Sequence, residues 1–252
     1  MNPTGNTILI TGGGSGIGRG LAEALQKLGN KVIIAGRRQS VLDDTTSANP
    51  GMESLTIDIE SPAAITAFAE EVKQRFPALN VLINNAGIMK TENLLEADLA
   101  AAESIITTNL LGPLRLVAAL LPQLQAQPSS TVINVTSGLA FLPLTITPTY
   151  CATKAAMHSW SQSLRYQLRE TSVEVLELAP PYVQTELMGS QQASDPRAMP
   201  LADYIAEVIT LLSGPVPENG EILVERVKPL RHAEKNGNFD QVFGMLNSNP
   251  VH

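Results

Sequence analysis

The sequence has 252 residues, of which 44% are hydrophobic and 16% charged, so it can bury the core of one large domain and is not typical of a disordered chain. Acidic residues outnumber basic ones by 24 to 17, and the net charge of −7 argues against a nucleic-acid partner, because phosphate backbones are bound by basic surfaces. A single cysteine excludes an internal disulfide, and together with three histidines it argues against a Cys- or His-based metal site.

The N-terminal residues contain neither a basic segment nor a long apolar segment, so we expect no targeting signal. The most apolar stretch, 110–121, is interrupted by Gly112, Pro113 and Arg115 and is shorter than the roughly 20 residues that span a bilayer. We therefore expect a cytoplasmic protein without a membrane partner.

Short apolar strands alternate with helices along the chain. The predicted strands are 7–11, 31–35, 55–57, 81–84, 131–135, 173–178 and 221–224. The predicted helices are about 17–28, 62–76, 97–121, 149–169 and 201–212. This alternation predicts an α/β fold, a three-layer doubly wound parallel sheet of about seven strands with helices on both faces, the Rossmann architecture. No linker or change of composition marks a second domain, so residues 1–252 are expected to form one.

A glycine-rich turn lies between the first strand and the first helix. Its glycines follow the spacing Gly12-x3-Gly16-x-Gly18, which lets the backbone approach a pyrophosphate at a helix N-terminus. The candidate cofactor-binding residues of the turn are Gly12, Gly14, Ser15, Gly16, Ile17 and Gly18. The alternative is a tight strand-to-helix turn without a ligand.

The end of the second strand bears on the choice of dinucleotide. An acidic side chain here would bind the ribose 2′-hydroxyl of NAD, but the sequence has Arg37 and Arg38 and no acid before Asp43. Because a guanidinium pairs with phosphate, these arginines favour NADP, with Arg37 the first choice. The alternative is that both are solvated surface side chains.

Four residues form the candidate catalytic group. Tyr150 and Lys154 are four residues apart and lie on one face of a predicted helix. An adjacent ammonium favours the phenolate, so Lys154, helped by a bound nicotinamide cation, is expected to lower the pKa of Tyr150 from about 10. Ser137 follows the fifth strand at the edge where α/β sheets bind ligands, and Asn109 lies among apolar residues of a helix, where a buried amide needs a specific partner.

These motifs, with Asn84-Asn85-Ala86-Gly87, resemble the short-chain dehydrogenase/reductase family in order and spacing over about residues 5 to 190. The resemblance implies that Tyr150 exchanges a proton with a carbonyl or alcohol oxygen that Ser137 orients, while hydride passes to or from the nicotinamide. It also implies that Lys154 holds the nicotinamide ribose and that Asn109 keeps a water near Lys154. The further cofactor contacts that it implies are Asp58, Ile59, Asn85, Ala86, Gly87, Tyr150, Lys154, Pro180, Val183 and Thr185.

One departure concerns the nicotinamide side. Where the family usually has Pro-Gly after the sixth strand, this sequence has Pro180-Pro181, and a proline cannot adopt a left-handed conformation. Contacts by Val183 and Thr185 are still expected. The Pro-Pro pair, residues 227–231 and the tail resemble a subgroup labelled DltE-like oxidoreductases, a label that implies no substrate.

Apolar residues follow the fourth, fifth and sixth strands and can form either a substrate pocket or ordinary core and oligomer contacts. As a pocket they favour a medium-sized, uncharged ketone, aldehyde or secondary alcohol, with Ser137, Leu139, Tyr150 and Tyr182 as substrate-binding residues. The polar stretch 188–200 is expected to be a lid, or alternatively a surface loop.

The tail, about 231–247, has an amphipathic helical pattern at Phe239, Val242, Phe243 and Leu246. It is expected to pack on its own subunit or to cap the site of a neighbouring one. By resemblance the chain forms a homodimer or homotetramer. A non-catalytic NADP(H)-binding sensor or scaffold is the main alternative function; a nucleotide-sugar epimerase or dehydratase and an enoyl reductase fit less well.

Overall fold

The computed structural model describes residues 1–96 and 99–248. Seven strands form one sheet: β1 Thr7–Thr11, β2 Lys31–Gly36, β3 Glu53–Thr56, β4 Val81–Asn84, β5 Ser130–Val135, β6 Val173–Leu178 and β7 Glu221–Ile222. Every pairing in the order β3-β2-β1-β4-β5-β6-β7 is parallel. Strand order reverses direction between β1 and β4, so the loops that follow these strands diverge and leave a crevice at the carboxyl edge.

Helices cover both faces of the sheet. They are α1 Gly16–Lys27, α2 Gln39–Ala48, α3 Pro62–Arg75, α4 Leu99–Ile106, α5 Gly112–Gln125, α6 Pro148–Leu168, α7 Ser190–Ser194, α8 Leu201–Ser213, α9 Lys228–Arg231 and α10 Phe239–Ser248. One core lies between the sheet and α1, α2 and α8, and a second lies between the sheet and α3, α5 and α6. The predicted three-layer doubly wound α/β fold is confirmed.

Several predicted elements differ in detail. The polar helix α2 has no counterpart among the predicted elements, and the third strand is Glu53–Thr56 rather than 55–57. The last strand contains Glu221–Ile222 rather than 221–224, because the chain turns into a 3-10 turn at Glu225–Val227. The predicted start of the long helix at residue 97 lies outside the described residues.

The predicted helix 97–121 is not continuous. α4 and α5 are joined by a π-helical turn at Thr107–Leu111, and α5 continues to Gln125. The whole stretch Leu99–Gln125 is long and apolar enough to cross a membrane by length and composition, contrary to the sequence-based expectation. In this fold the apolar side of α5 fills the core beneath the sheet at Leu116, Leu120 and Leu124.

Two segments border the carboxyl edge of the sheet. The first, 188–200, contains α7 and is joined to the loop after β6 by hydrogen bonds from Gln184 N–H to the Met199 carbonyl (2.9 Å) and from Met199 N–H to the Tyr182 carbonyl (2.8 Å). The second is the C-terminal helix α10, which forms where the amphipathic pattern predicts it.

Candidate active site

The glycine-rich turn is built around two left-handed glycines. Gly12 has φ +67° and Gly16 has φ +51°, conformations that a residue with a Cβ adopts at a cost. The Gly12 N–H donates to the Ala35 carbonyl of β2 (2.7 Å), which fixes the turn at the edge of the sheet. The N-terminus of α1 then faces the crevice, where unpaired N–H groups favour an anion.

Thr11 joins this turn to the loop after β4. Its hydroxyl accepts the N–H groups of Asn85 (3.0 Å) and Ala86 (3.1 Å), and the Asn85 side chain donates to the Thr11 carbonyl (3.0 Å). Gly18 lies behind this junction rather than in the crevice, since a Cβ on it would stand 2.3 Å from the Gly12 carbonyl oxygen. The position of Gly18 allows the turn and α1 to pack closely, but it does not support the predicted direct contact of Gly18 with a cofactor.

A cavity of about 910 Å³ extends from this turn to the end of β5 and β6. Most of the predicted site residues line it: Gly12, Gly14, Ser15, Gly16, Ile17, Arg37, Arg38, Ile59, Asn85, Ala86, Gly87, Ser137, Leu139, Tyr150, Lys154, Pro180, Tyr182, Val183 and Thr185. Within residues 1–96 and 99–248, the predicted site residues that do not line it are Gly18, Asp58 and Asn109.

At the far end of the cavity, both arginines after β2 line the wall. Arg37 is paired with Glu60 (Nη1 to Oε1, 3.3 Å), and its side chain is more than half exposed. The carboxylate of Asp58 is exposed, accepts the N–H of Glu60 (3.1 Å) and does not line the cavity, so its contact with adenine stays a prediction.

Tyr150, Ser137 and Lys154 meet at the other end. Burial raises the pKa of the Tyr150 phenol, and its hydrogen bond with Ser137 opposes that rise. Burial lowers the pKa of Lys154 to about 8, and its ammonium donates to the carbonyl of Val135 at the end of β5 (2.8 Å). The Lys154 Nζ lies 5.5 Å from the centre of the Tyr150 ring.

The predicted lowering of the Tyr150 pKa by Lys154 is therefore wrong for the chain by itself. Desolvation of the phenol outweighs the other influences, because the ammonium that would stabilise a phenolate is directed at a backbone carbonyl.

Sequence comparison identifies the family. The family model for short chain dehydrogenase matches residues 6–196. The chain is also 41% identical, over 252 residues, to the uncharacterized oxidoreductase DltE of Bacillus subtilis strain 168, covering 98% of this chain and 99% of the relative. The chain belongs to the short-chain dehydrogenase family. It is thus an oxidoreductase with a nucleotide-binding Rossmann fold and a small-molecule substrate.

Solved structures agree with this fold. A short-chain dehydrogenase from Burkholderia cenocepacia J2315, in complex with NADP, has a TM-score of 0.82 at 26% identity, covering 99% of this chain and 100% of that one. The 3-ketoacyl-(acyl-carrier-protein) reductase from Brucella melitensis, complexed with NADH, has a TM-score of 0.76 at 27% identity, covering 85% and 93%. These relatives contain different nicotinamide dinucleotides.

In this short-chain dehydrogenase, Asn109 lies inside the π-helical turn and is buried. Its side chain accepts the N–H of Ile88 and donates to the carbonyl of the same residue, both at 2.8 Å. A weaker bond reaches the Thr153 hydroxyl (3.4 Å). The buried amide thus has the specific partner that the sequence predicts, namely the backbone of the loop after β4; the water beside Lys154 stays a prediction.

The substrate side of the dehydrogenase cavity includes residues that the sequence analysis did not assign to it. Among them are Lys90, Glu186, Arg197, Leu230, Met245 and Leu246. The amphipathic pattern of the tail was a signal for Leu246, but the pattern does not show what the apolar face of a helix packs against.

A cluster of His158, Glu177 and Glu221 lies under the sheet edge, with ligand-type atoms within 4.8 Å of one another. Both oxygens of Glu221 accept from Arg231 (2.7 and 2.8 Å), while Glu177 accepts from Thr136 and pairs with His158, both at 2.7 Å. Since the protein already partners these carboxylates, the cluster is a buried ion network and gives no support for a metal site.

Proposed function

We propose that the chain catalyses reversible hydride transfer between NADP(H) and a medium-sized apolar ketone, aldehyde or secondary alcohol. One observation carries this proposal: Tyr150, Ser137 and Lys154 line the same cavity whose other end is the glycine-rich turn. A dinucleotide and a small carbonyl compound need such a continuous space.

The residues present fit a nicotinamide dinucleotide. The left-handed glycines bring the backbone to the cavity wall, and the α1 N-terminus provides donors for a pyrophosphate. Asn85 and Ala86 would hold the adenosine side, while Lys154, Val183 and Thr185 would hold the nicotinamide side. Arg37 or Arg38 would bind the 2′-phosphate that distinguishes NADP. When bound, the cofactor supplies hydride to a carbonyl carbon or accepts it from an alcohol.

The chain's own contribution is acid–base chemistry at one oxygen. The raised pKa keeps Tyr150 protonated near neutral pH, so it can donate a proton to a carbonyl oxygen that gains negative charge during reduction. Ser137 would donate a second hydrogen bond to the same oxygen and orient it. In the oxidation direction Tyr150 has to lose its proton first, which the buried ammonium of Lys154 would favour once it turns toward the phenol.

Reduction of a series of aliphatic ketones and aldehydes tests this function through the loss of NADPH absorbance. Removing the Tyr150 hydroxyl in Tyr150→Phe should lower kcat/KM by about 10²- to 10⁴-fold, the usual contribution of a general acid. Tyr166→Phe is the matched control, because Tyr166 lies on the same helix and is exposed. Wild-type turnover in Tyr150→Phe would refute the mechanism.

NADPH binding separates this enzyme from a cofactor sensor. Wild-type protein that binds NADPH but reduces none of the carbonyl compounds would favour the sensor or scaffold and refute the catalytic proposal.

We further propose that the protein works as a cytoplasmic homodimer or homotetramer. A shallow apolar groove between α6 and the end of α4 with its π-helical turn, lined by Ile106, Leu110, Ala152 and Ala156 among others, supports a contact between copies. Light scattering of the wild type and of Ala152→Glu tests the contact, since a carboxylate buried there should shift the mass toward a monomer. An Ala152→Glu mass equal to that of an oligomeric wild type would refute this contact.

A further inference from the structure

The substrate end of the cavity is closed in part by the C-terminal helix α10. Met245 and Leu246 of this helix line the cavity together with Leu139, Leu144 and Tyr182. Met245 is also among the most exposed large apolar side chains, at 62%. An apolar side chain that is exposed at the mouth of a cavity is available to an apolar ligand.

Hydrogen bonds from the side chain of Asn247 hold α10 in this position. Asn247 accepts the N–H of Thr145 (2.7 Å) and donates to the carbonyl of Pro143 (3.2 Å), in the loop that follows Ser137. None of the α10 residues is fully buried. Few contacts therefore attach α10 to the remainder of the protein, and its position depends strongly on the hydrogen bonds of Asn247.

The segment 188–200, by contrast, is fixed by buried polar contacts. The Gln192 amide donates to the carbonyl of Val183 (2.8 Å) and the hydroxyl of Thr185 (3.0 Å), and it accepts the N–H of Met188 (3.0 Å). Opening this segment would break these bonds and leave the Gln192 side chain without partners. Of the two segments that border the cavity, α10 is the one that can move at lower cost.

The chemistry of the lining points to an uncharged, apolar ligand part beneath α10. At the substrate end the charged residues on the cavity wall are Lys90, Lys154, Glu186 and Arg197; Lys90 and Glu186 are exposed, and Lys154 donates to the carbonyl of Val135. The Arg197 guanidinium is neutralised by Asp195 through contacts of 3.1 Å (Nε to Oδ1) and 2.9 Å (Nη2 to Oδ2). Apart from Lys154, the described part of this wall therefore has no buried unpaired charge that would require an ionic substrate.

We infer that α10 is the cover of the substrate pocket and that Met245 and Leu246 select an alkyl chain on the side of the substrate away from its carbonyl. Asn247 is a positioning residue that holds the cover through Thr145 and Pro143. This inference rests on the proposed function, because it assigns the part of the substrate that lies beyond the reacting carbonyl.

Linear aliphatic amides of increasing length, from butyramide to decanamide, test the inference by calorimetry on the NADP-loaded protein. They present a carbonyl that is not reduced, so binding is measured apart from catalysis. Each methylene that reaches α10 should tighten the Kd of the wild type by up to about fourfold. In Met245→Ala/Leu246→Ala this gain should fall below about twofold per methylene.

Val242→Ala is the matched control, because Val242 lies on the same helix but does not line the cavity. It should keep the wild-type dependence on chain length. Asn247→Ala should weaken the longest amides most and should accelerate hydrogen exchange of the α10 amide protons. An unchanged gain per methylene in the double variant, or unchanged exchange in Asn247→Ala, would overturn the inference.

The two proposals fail in different ways. Amide binding that depends on Met245 and Leu246 in a protein that reduces no carbonyl would refute the proposed function and retain the cover. A protein that reduces carbonyl compounds but binds the amides with a chain-length dependence unaffected by Met245→Ala/Leu246→Ala would refute the cover and retain the proposed function.

Discussion

Arg37 and Glu60 form an ion pair, and substituting one or the other should change the affinity for NADPH in opposite directions. Arg37 lines the cavity, but its guanidinium is paired with the Glu60 carboxylate (Nη1 to Oε1, 3.3 Å). Glu60 also accepts the Thr108 hydroxyl (2.8 Å), so a glutamine at this position keeps an acceptor for Thr108. Glu60→Gln therefore removes the negative charge that holds Arg37 while keeping an oxygen acceptor, whereas Arg37→Ala removes the cation.

The size of each effect follows from exposure. The Arg37 side chain is 56% exposed, and exposed ion pairs contribute about 0–1 kcal/mol, so releasing Arg37 should tighten the NADPH Kd by up to about fivefold. A hydrogen bond to a charged group contributes about 1.5–3 kcal/mol, and exposure favours the lower figure. Arg37→Ala should thus weaken NADPH binding by about tenfold or more, and the effect should shrink with added salt.

Fluorescence titration with NADPH and NADH measures both variants, and the ratio of the two Kd values isolates the 2′-phosphate. Arg38→Ala belongs in the same series, because Arg38 lines the cavity and has no side-chain partner in residues 1–96 and 99–248. Arg19→Ala is the control: Arg19 is paired with Glu23 at 2.7 Å and lies outside the cavity. Equal changes for NADPH and NADH in both arginine variants would refute NADP selection by these residues.

Three further predictions concern stability. Glu92→Ala should lower the free energy of unfolding by about 1–2 kcal/mol in urea, because Glu92 caps α6 through the N–H (3.0 Å) and hydroxyl (2.7 Å) of Thr149. The folded wild type releases the Lys154 proton at a lower pH than the unfolded chain does, because burial lowers the pKa to about 8. Its stability should therefore rise by about 2 kcal/mol between pH 8 and 10, and Lys154→Met should remove this rise in urea unfolding. Gly18→Ala should prevent normal folding, seen as loss of the cooperative thermal transition, because its Cβ would stand 2.3 Å from the Gly12 carbonyl oxygen.

Each of these has a matched control. Glu96→Ala should leave stability within about 0.5 kcal/mol, because Glu96 is exposed and accepts from the Asn93 side chain without capping a long helix. Lys73→Met, on the surface of α3, should keep the wild-type pH dependence. Gly214→Ala should fold normally, because the atoms nearest to its added Cβ are 3.6 Å away. A control as damaging as its partner would contradict the assigned cause.

The sequence predicted the features that have a local signature. Apolar strands and capping residues predict the sheet and most helices. Gly12 and Gly16 predict the turn, because a left-handed backbone conformation strongly favours glycine. The order of the strands follows from right-handed crossovers, so Ser137 and Tyr150 could be assigned to the same edge of the sheet before any contact was known.

Features that depend on tertiary contacts were not predictable. α2 contains Asp, Thr and Ser and has weak intrinsic helix preference; Leu42 packing into the core stabilises it. The π-helical turn has no residue signature, and the direction of the Tyr150 pKa shift depends on burial by distant parts of the chain. The position of α10 is set by Asn247 bonding to a loop about 100 residues earlier.

The π-helical turn at Thr107–Leu111 constrains how this region can change length. On its two sides, α4 packs against α6 and α5 packs against α3. The wide turn takes up an extra residue, so that each helix keeps its own facing side. Deleting one residue at the turn would restore a regular helix and leave both facing sides in place, whereas deleting one residue within α4 or α5 would rotate the helix beyond it by about 100°. Length changes should therefore be tolerated at this turn and in the surrounding loops before they are tolerated within α4 or α5.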